Sequence, residues 1–548
     1  MRKRIILLLI PVFIFLALSF TPPADRYFEI AKNLDIMASV FKEVNALYVD
    51  EVNPNKLMRT GIDAMLGTLD PYTNFIAEDE VENYRTLNTG QYGGIGALTR
   101  TIGNRTVVTM IYKGFPAEKN GLKIGDEIIK MDEVALDKIS IEEANRLMRG
   151  QVGTPVTLLI KREGVANPLE FTFKREKIKI SNVPYFGMVS ATVGYVQLTD
   201  FTPDAGREVK NAVLSLKEQG ATSMILDLRD NPGGLLMEAV NICNIFIPKG
   251  KKVVSTQGKV KEHNVTYEAL NSPVDLEIPL VVLINRGSAS ASEIVAGTLQ
   301  DYDRAVVIGE KSFGKGLVQL SRPLSYNAQV KITTAKYYTP TGRCIQVLDY
   351  SHRREDGSVG AIPDSLKKEF KTGQGRPVFD GGGIDPDILV GSEEISTLAK
   401  VLYTSGLIFD YSTRYTAEHP SIPNPKDFKL SDPDYDDFVA WAKSKPYDYN
   451  SPLETGLDNL KSIAQKEKYY DDLKAKFDQI AELIKEQKKT DLFTFKDQIK
   501  TLLEKDIASR YYFEEGSVEV TFKDDKNIKK SIEILNSPTA YKSILHKI

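Results

Sequence analysis

Three segments of this chain carry residue types that could do covalent chemistry. Gly287-Ser288-Ala289-Ser290-Ala291-Ser292-Glu293-Ile294 follows a buried-strand pattern ending at Asn285 and opens a helical one. A serine there sits among unsatisfied backbone N–H groups at the positive end of a helix, where a developing oxyanion is favoured. Serine is also a preferred N-cap, so three serines at a helix start need no catalysis to account for them. The second segment, Gly309-Glu310-Lys311-Ser312-Phe313-Gly314-Lys315-Gly316, is a near-miss to the phosphate-binding loop G-x-x-x-x-G-K-[ST]. Gly316 lacks the hydroxyl that would hold Mg²⁺, and the chain runs on into a β pattern through Leu317, Val318 and Gln319 rather than into a helix. Lys315 therefore reads either as a solvated turn lysine or as a desolvated amine between glycines, which loses its proton more readily and serves as a general base. In the third segment, Asp227-Leu228-Arg229-Asp230-Asn231-Pro232-Gly233-Gly234-Leu235-Leu236, Gly233 or Gly234 could present an oxyanion donor beside the N–H of Ala291. A plain left-handed glycine turn is the alternative.

A fourth segment, Gly93-Gly94-Ile95-Gly96-Ala97, exposes successive backbone N–H groups of the kind that hold a carboxylate. Together with Pro116-Ala117-Glu118-Lys119-Asn120-Gly121-Leu122-Lys123-Ile124-Gly125-Asp126-Glu127-Ile128-Ile129 it resembles a PDZ domain, which captures peptide C-termini by adding them as a strand. That likeness makes Gly94, Ile95, Gly96 and Ala97 the expected peptide-binding residues.

In this order and spacing, the four segments closely resemble the C-terminal processing peptidases, the PDZ-bearing Ser–Lys proteases. Leu69-Asp70-Pro71-Tyr72-Thr73, Tyr337-Tyr338-Thr339-Pro340-Thr341-Gly342-Arg343 and Gly383-Ile384-Asp385-Pro386-Asp387-Ile388 look like flanking motifs of the same family. The resemblance covers residues 30–390 and is absent from the remainder. It implies that Ser290 is the nucleophile, because the family's lysine follows its serine at the interval separating Ser290 from Lys315. It further implies Lys315 as general base, Gln319 orienting its amine, an oxyanion hole from Ala291 with the Gly233/Gly234 turn, and no cofactor. The expected reaction is cleavage of proteins near their C-termini through an acyl-enzyme. Two rivals are a non-catalytic PDZ scaffold, whose signature would be loss of Ser290 or Lys315, and a crotonase-like acyl-thioester enzyme, against which the PDZ segment argues.

The elements that must position these residues follow from periodicity. Residues 25–88 read as helical, with Ile30, Leu34, Met37, Val40, Phe41, Val44 and Leu47 at near-helical spacing. Short β runs around one helix at residues 141–148 fill the PDZ segment, residues 90–177. Residues 178–392 alternate strand and helix, the pattern of an α/β core. The predicted fold is thus multidomain α/β: a crotonase/ClpP-like protease core, an inserted PDZ domain, an N-terminal helical segment, and a polar, mostly helical extension at 393–548. The extension is read as a site for homo-oligomerisation, for docking an adaptor or for shielding the groove.

Composition limits the partners. The 548 residues carry 71 Lys+Arg against 74 Asp+Glu, so no basic excess supports nucleic acid as a partner. Two cysteines without CxxC spacing, four histidines and no HExxH offer little for metal catalysis, whereas a Ser–Lys pair needs no histidine. Expected substrates are proteins or peptides with apolar C-termini. Arg2, Lys3 and Arg4 precede the apolar run 5–20, which reads as a secretory signal with Ala17-Leu18-Ser19 at its cleavage site, or as a membrane anchor if retained. That places the protein in a bacterial periplasm or cell envelope.

Overall fold

The computed structural model describes residues 24–391 and 393–545, so the apolar run 5–20 lies outside the described residues. The chain divides into two compact units: residues 1–78 with 319–333, and residues 79–318 with 334–548.

In the first unit, helix Ala24–Leu47 is followed by Pro54–Gly67, whose start is set by Pro54 in its first turn and by Asn53 accepting the N–H of Lys56 at 3.0 Å. Strand Asn74–Ile76 pairs antiparallel with residues 329–331. Between them the Asp70 carboxylate accepts the N–H groups of Tyr72 and Thr73, both at 2.8 Å, and folds the Asp70-Pro71-Tyr72-Thr73 motif into a side-chain-closed turn.

The second unit begins with a small β domain. Five antiparallel strands run in the order Ala97–Ile102, Arg105–Ile111, Glu127–Met131, Pro155–Lys161, Leu169–Lys174, with helix Ile141–Met148 packed beside the edge strand Ala97–Ile102. Alternate residues Val156, Leu158 and Ile160 are fully buried, as period-2 patterning demands. Strands Gln91–Gly94 and Glu176–Lys179 pair antiparallel where the chain enters and leaves, so the domain is an insertion closed at its base.

The core sheet has six strands in the order Tyr185–Met188, Val193–Gln197, Ser223–Asp227, Leu280–Ile284, Val306–Gly309, Ile388–Leu389. Only the first pair is antiparallel. One face, carrying Val196, Leu226, Val282 and Val307, is covered by helices Ala205–Glu218, Leu236–Phe246 and Ala291–Asp301. The opposite face, carrying Tyr195, Ile225, Val281, Leu283, Val306 and Ile308, is covered by Ile528, Ile534, Leu535, Tyr541 and Leu545. These lie on helices Lys526–Leu535 and Pro538–Leu545 at the far end of the chain. Parallel strands buried on both faces need such a double cover.

The expected multidomain α/β arrangement, with an inserted PDZ-type domain and helical segments at both ends, is what the chain builds. The expected crotonase/ClpP-like core is corrected. Strand–helix alternation specifies an α/β core but neither which strands pair nor what covers the second face. Here that face is roofed by helices from beyond residue 525.

The rest of the extension has its own core, in which Leu402, Tyr411, Phe438, Leu503 and Ile507 pack together. From it rises a helical hairpin, Pro452–Lys466 and Tyr470–Lys488, closed along Leu457, Ala464, Phe477 and Ile484.

Candidate active site

The strand Leu280–Ile284, buried throughout, delivers the chain to a turn and then to helix Ala291–Asp301, every residue of which is buried. The three serines in between have different duties. Ser288 Oγ donates to Leu228 O at 2.8 Å and Ser292 Oγ to Asn231 O at 2.9 Å, so both outer hydroxyls are committed to tying this turn to the 228–234 turn. Ser290, the middle one, sits at φ 56°, ψ −111°, a costly conformation for a side-chain-bearing residue that persists only where its surroundings enforce it. Its carbonyl accepts the Tyr337 hydroxyl at 3.1 Å.

The 228–234 turn is organised by Asn231, which is fully buried. Its Nδ2 donates to Leu198 O at 2.7 Å, its carbonyl accepts the N–H of Ala289 at 3.0 Å, and its Oδ1 accepts the N–H of Gly233 at 2.9 Å. The Gly233 N–H is therefore already engaged. Those of Gly234 and Ala291 have no acceptor among the described residues. Gly233, at φ +95°, is required for a different reason: a Cβ there would stand 2.6 Å from Ala289 O, 2.8 Å from Ala291 N and 2.9 Å from Ser290 Cβ. Its bare α-carbon keeps open the space that faces the start of the helix.

Glu293, three residues after Ser290, has no exposed surface. Its Oε2 accepts the backbone N–H of Ser290 at 2.8 Å and that of Lys315 at 2.9 Å. Its Oε1 accepts the N–H of Gly314 at 2.7 Å and the Ser312 hydroxyl at 2.6 Å. Burial pushes its pKa up to about 7, against the downward pull of these four donors. Gly314 and Gly316 let the lysine loop pass close to its neighbours: a Cβ on Gly314 would meet the Val347 side chain, and one on Gly316 would stand 2.8 Å from Gln346 N.

Gln319 belongs to the first unit, where its Nε2 donates to Thr333 Oγ1 at 3.2 Å. The N–H of Thr333 donates to Thr73 Oγ1 at 3.1 Å, and Thr73 Oγ1 donates to Asp70 at 3.1 Å. The Asp70-Pro71-Tyr72-Thr73 motif thus reaches Gln319 through a single threonine.

In the β domain, Gly94 ends the strand Gln91–Gly94, Ile95 is buried and Gly96 takes φ +79° before Ala97 starts the edge strand. The Ile95 carbonyl accepts the N–H of Ala117 at 2.8 Å, which anchors this glycine loop to the Pro116-Ala117 segment. Across from the loop, Thr99 Oγ1 on the edge strand and Asn145 Oδ1 on the helix lie 3.0 Å apart, so the two walls of the groove touch. At the carboxyl ends of the core strands a cavity of about 810 Å³ is lined by Gln197, Asp227, Arg229 and Asn285 from the core, Met110 from the β domain and Phe513 from the extension.

Sequence reading named Ser290, Ala291, Gly233, Gly234, Lys315, Gln319 and the Gly94–Ala97 loop, but assigned no role to Glu293, Asn231 or Arg229. Glu293 had a visible signal, the Ser-x-x-Glu spacing of a capping box. Nothing in the sequence showed that its carboxylate would also hold the lysine loop.

A serine turn at a helix start, unspent N–H donors beside it and a lysine loop on the same carboxylate are parts that a serine-type hydrolase uses. Residues 192–350 match the family Peptidase family S41, residues 87–161 the PDZ domain, and residues 398–535 "Probable PDZ-protease, C-terminal helical domain". The chain is 37% identical over 342 residues to the carboxy-terminal-processing protease of Bartonella bacilliformis, covering 62% of this chain and 76% of that one. It is 37% identical over 316 residues to the probable CtpA-like serine protease of Staphylococcus aureus strain MRSA252, spanning 57% of this chain and 62% of that relative. A solved photosystem II D1 C-terminal processing protease is 27% identical, covering 64% of this chain and 91% of that one at a TM-score of 0.34. The chain belongs to the C-terminal processing proteases, PDZ-bearing serine endopeptidases of family S41. Its core is accordingly that of the S41 peptidases rather than a crotonase/ClpP-like one. As a member it recognises substrate C-termini through the PDZ domain and cuts by a Ser–Lys acyl-enzyme mechanism.

Proposed function

We propose that Ser290 is the nucleophile and Lys315 the general base of this endopeptidase. The single observation that carries this reading is the shared oxygen of Glu293, which ties the Ser290 turn to the Lys315 loop. Ser290 Oγ attacks the scissile carbonyl and its proton passes to the Lys315 amine. The tetrahedral oxyanion is held by the N–H groups of Ala291 and Gly234, with Gly233 supplying the bare space between. The lysine then protonates the leaving amine, and water attacks the acyl-enzyme to release the new C-terminus and restore Ser290. A serine-directed fluorophosphonate tests the assignment: it should label the wild type but neither Ser290→Ala nor, at an appreciable rate, Lys315→Ala. Labelling that survives Ser290→Ala would overturn it.

We further propose that the glycine loop at residues 94–97 takes up apolar substrate C-termini, a seated peptide displacing the Thr99–Asn145 contact. Amidating the C-terminus of a long substrate removes the charge the loop would hold and should slow cleavage severalfold; equal cleavage of both forms would refute this. The basic start and the apolar run 5–20 support export to the cell envelope. Among the described residues no helix is long and apolar enough to cross a membrane.

The extension is proposed to self-associate. Leu453, Leu460 and Ile463 on one helix of the hairpin, and Leu473, Ile480 and Leu483 on the other, are exposed. In each helix they lie displaced in the same sense from the inner seam, which in an antiparallel pair puts all six on one face. Lys466 flanks that face on one side, Asp472 and Glu486 on the other. A two-fold axis along the hairpin would set Lys466 of one copy beside the acidic flank of the next, completing a four-helix bundle.

A further inference from the structure

The C-terminal helices do more than roof the sheet. Asp525, the N-cap of helix Lys526–Leu535, divides its carboxylate between two tasks. Its Oδ1 accepts the N–H groups of Asn527 at 2.8 Å and Ile528 at 3.1 Å, which starts the helix. Its Oδ2 accepts Nη1 of Arg229 at 2.8 Å. The other edge of Arg229 lies along Asp227, with Nε 2.9 and 3.0 Å from the two carboxylate oxygens, and Asp227 also accepts the Tyr195 hydroxyl at 2.7 Å. The guanidinium is thus gripped from two directions, by the end of a core strand and by the extension. The Arg229 and Asp525 side chains are only 20% and 15% exposed. Both carboxylates hold Arg229 more firmly charged than usual, against the pull of burial.

Arg229 stands at the root of the turn that carries Gly234. The next residue, Asp230, takes φ +59°, and its N–H donates to Asn285 Oδ1 at 2.9 Å. On the side facing Ser290, the turn is tied down by Ser288, Ser292 and Ala289. On the side facing the extension, Arg229 is its link to Asp525.

We propose that Asp525 is a positioning residue for the oxyanion turn. By holding Arg229 it sets residues 228–234 at the separation from Ala291 that the tetrahedral intermediate needs. The extension would then be part of the catalytic machine although it touches no reacting atom. This inference rests on the assignment of Ala291 and Gly234 as oxyanion donors.

The split carboxylate permits a clean test. Asp525→Asn and Asp525→Ser keep an N-cap acceptor for the helix, but the first removes the charge and the second the reach to Arg229. Each should lower kcat on a long peptide about five- to a hundredfold, the range expected for a displaced catalytic group. The rate of Ser290 labelling by a small fluorophosphonate should fall by the same factor, with KM and Tm little changed. Asp525→Ala loses the cap as well, so it should lower Tm while reducing kcat no further. The proposal is overturned if Asp525→Asn keeps wild-type kcat and labelling rate. It is equally overturned if only KM rises, because Arg229 would then be contacting substrate. Ser290→Ala, assayed in parallel, separates the two levels: activity surviving there sinks the underlying assignment, whereas a dead Ser290→Ala beside a fully active Asp525→Asn sinks only the positioning role.

Discussion

Ser290 and Lys315 hang from a single oxygen atom: Oε2 of Glu293 accepts the backbone N–H of the first at 2.8 Å and of the second at 2.9 Å. The two segments are joined at the level of the main chain, so their separation is set before either side chain chooses a rotamer. A carboxylate without exposed surface that receives four donors is rigid, because leaving any donor unpaired in a buried site costs on the order of 1–3 kcal/mol.

Glu293→Gln should therefore impair catalysis without touching a reacting group. One side of the amide would face donors instead of accepting from them. We expect a loss of about 10- to 100-fold in kcat, with KM nearly unchanged. Steady-state kinetics on a long peptide, with circular dichroism to verify folding, checks this.

The raised pKa of Glu293, about 7, makes opposite predictions for stability and activity. Burial favours the protonated carboxyl, so its stabilising contribution is complete at acid pH, below its ordinary titration, and is lost as pH rises through 7. The clamp, in contrast, needs the anion to accept all four donors. Tm should fall and kcat should rise between about pH 5 and 8, and the Glu293→Gln variant should lose that component of the Tm slope. Thermal melts of both proteins across this range decide it; identical slopes would refute the prediction.

Gly233→Ala is expected to remove most activity while leaving substrate binding intact. Its methyl group would lie under 3 Å from Ala289 O and Ala291 N, in a backbone region unfavourable to alanine. Blocking one oxyanion donor costs about 10²–10³ in kcat. The measurement is kcat against KM on a long peptide.

Tyr541 locks the last helix to the core sheet. Its hydroxyl accepts the N–H of Leu280 at 2.9 Å and donates to Leu280 O at 3.1 Å. Tyr541→Phe leaves both groups short of a buried partner and should cost about 1–3 kcal/mol in urea unfolding. Ending the chain before residue 526 should yield insoluble protein, since a whole face of the sheet would meet water.

The double substitution Leu460→Glu, Ile480→Glu puts charges in the middle of the exposed hairpin face. Sedimentation velocity at micromolar concentration should show the wild type as a dimer and the variant as a monomer. A monomeric wild type would refute self-association through this face.

The segments proposed to carry catalysis and peptide binding could be picked out in the sequence because their signals are local: a serine at a helix start, a lysine between glycines, glycines where the chain must turn, and a glycine-rich loop before a strand. The same locality made the inserted domain and the α/β texture readable. What only the tertiary structure decided depends on partners distant in the chain. The interval to Lys315 singled out Ser290 in the sequence, but the physical difference between it and Ser288 and Ser292 is tertiary: Leu228 and Asn231 accept the outer two hydroxyls. Gly233 and Gly234 separate only because Asn231 Oδ1 occupies the first N–H. Ile528, Ile534 and Leu535 on one helix, and Tyr541 and Leu545 on the next, have the spacing of any amphipathic helices; periodicity gives the face to be buried but not the surface that buries it. That these helices roof the catalytic sheet, and that Asp525 thereby meets Arg229, follows from long-range packing, which settles which apolar faces and which charges meet.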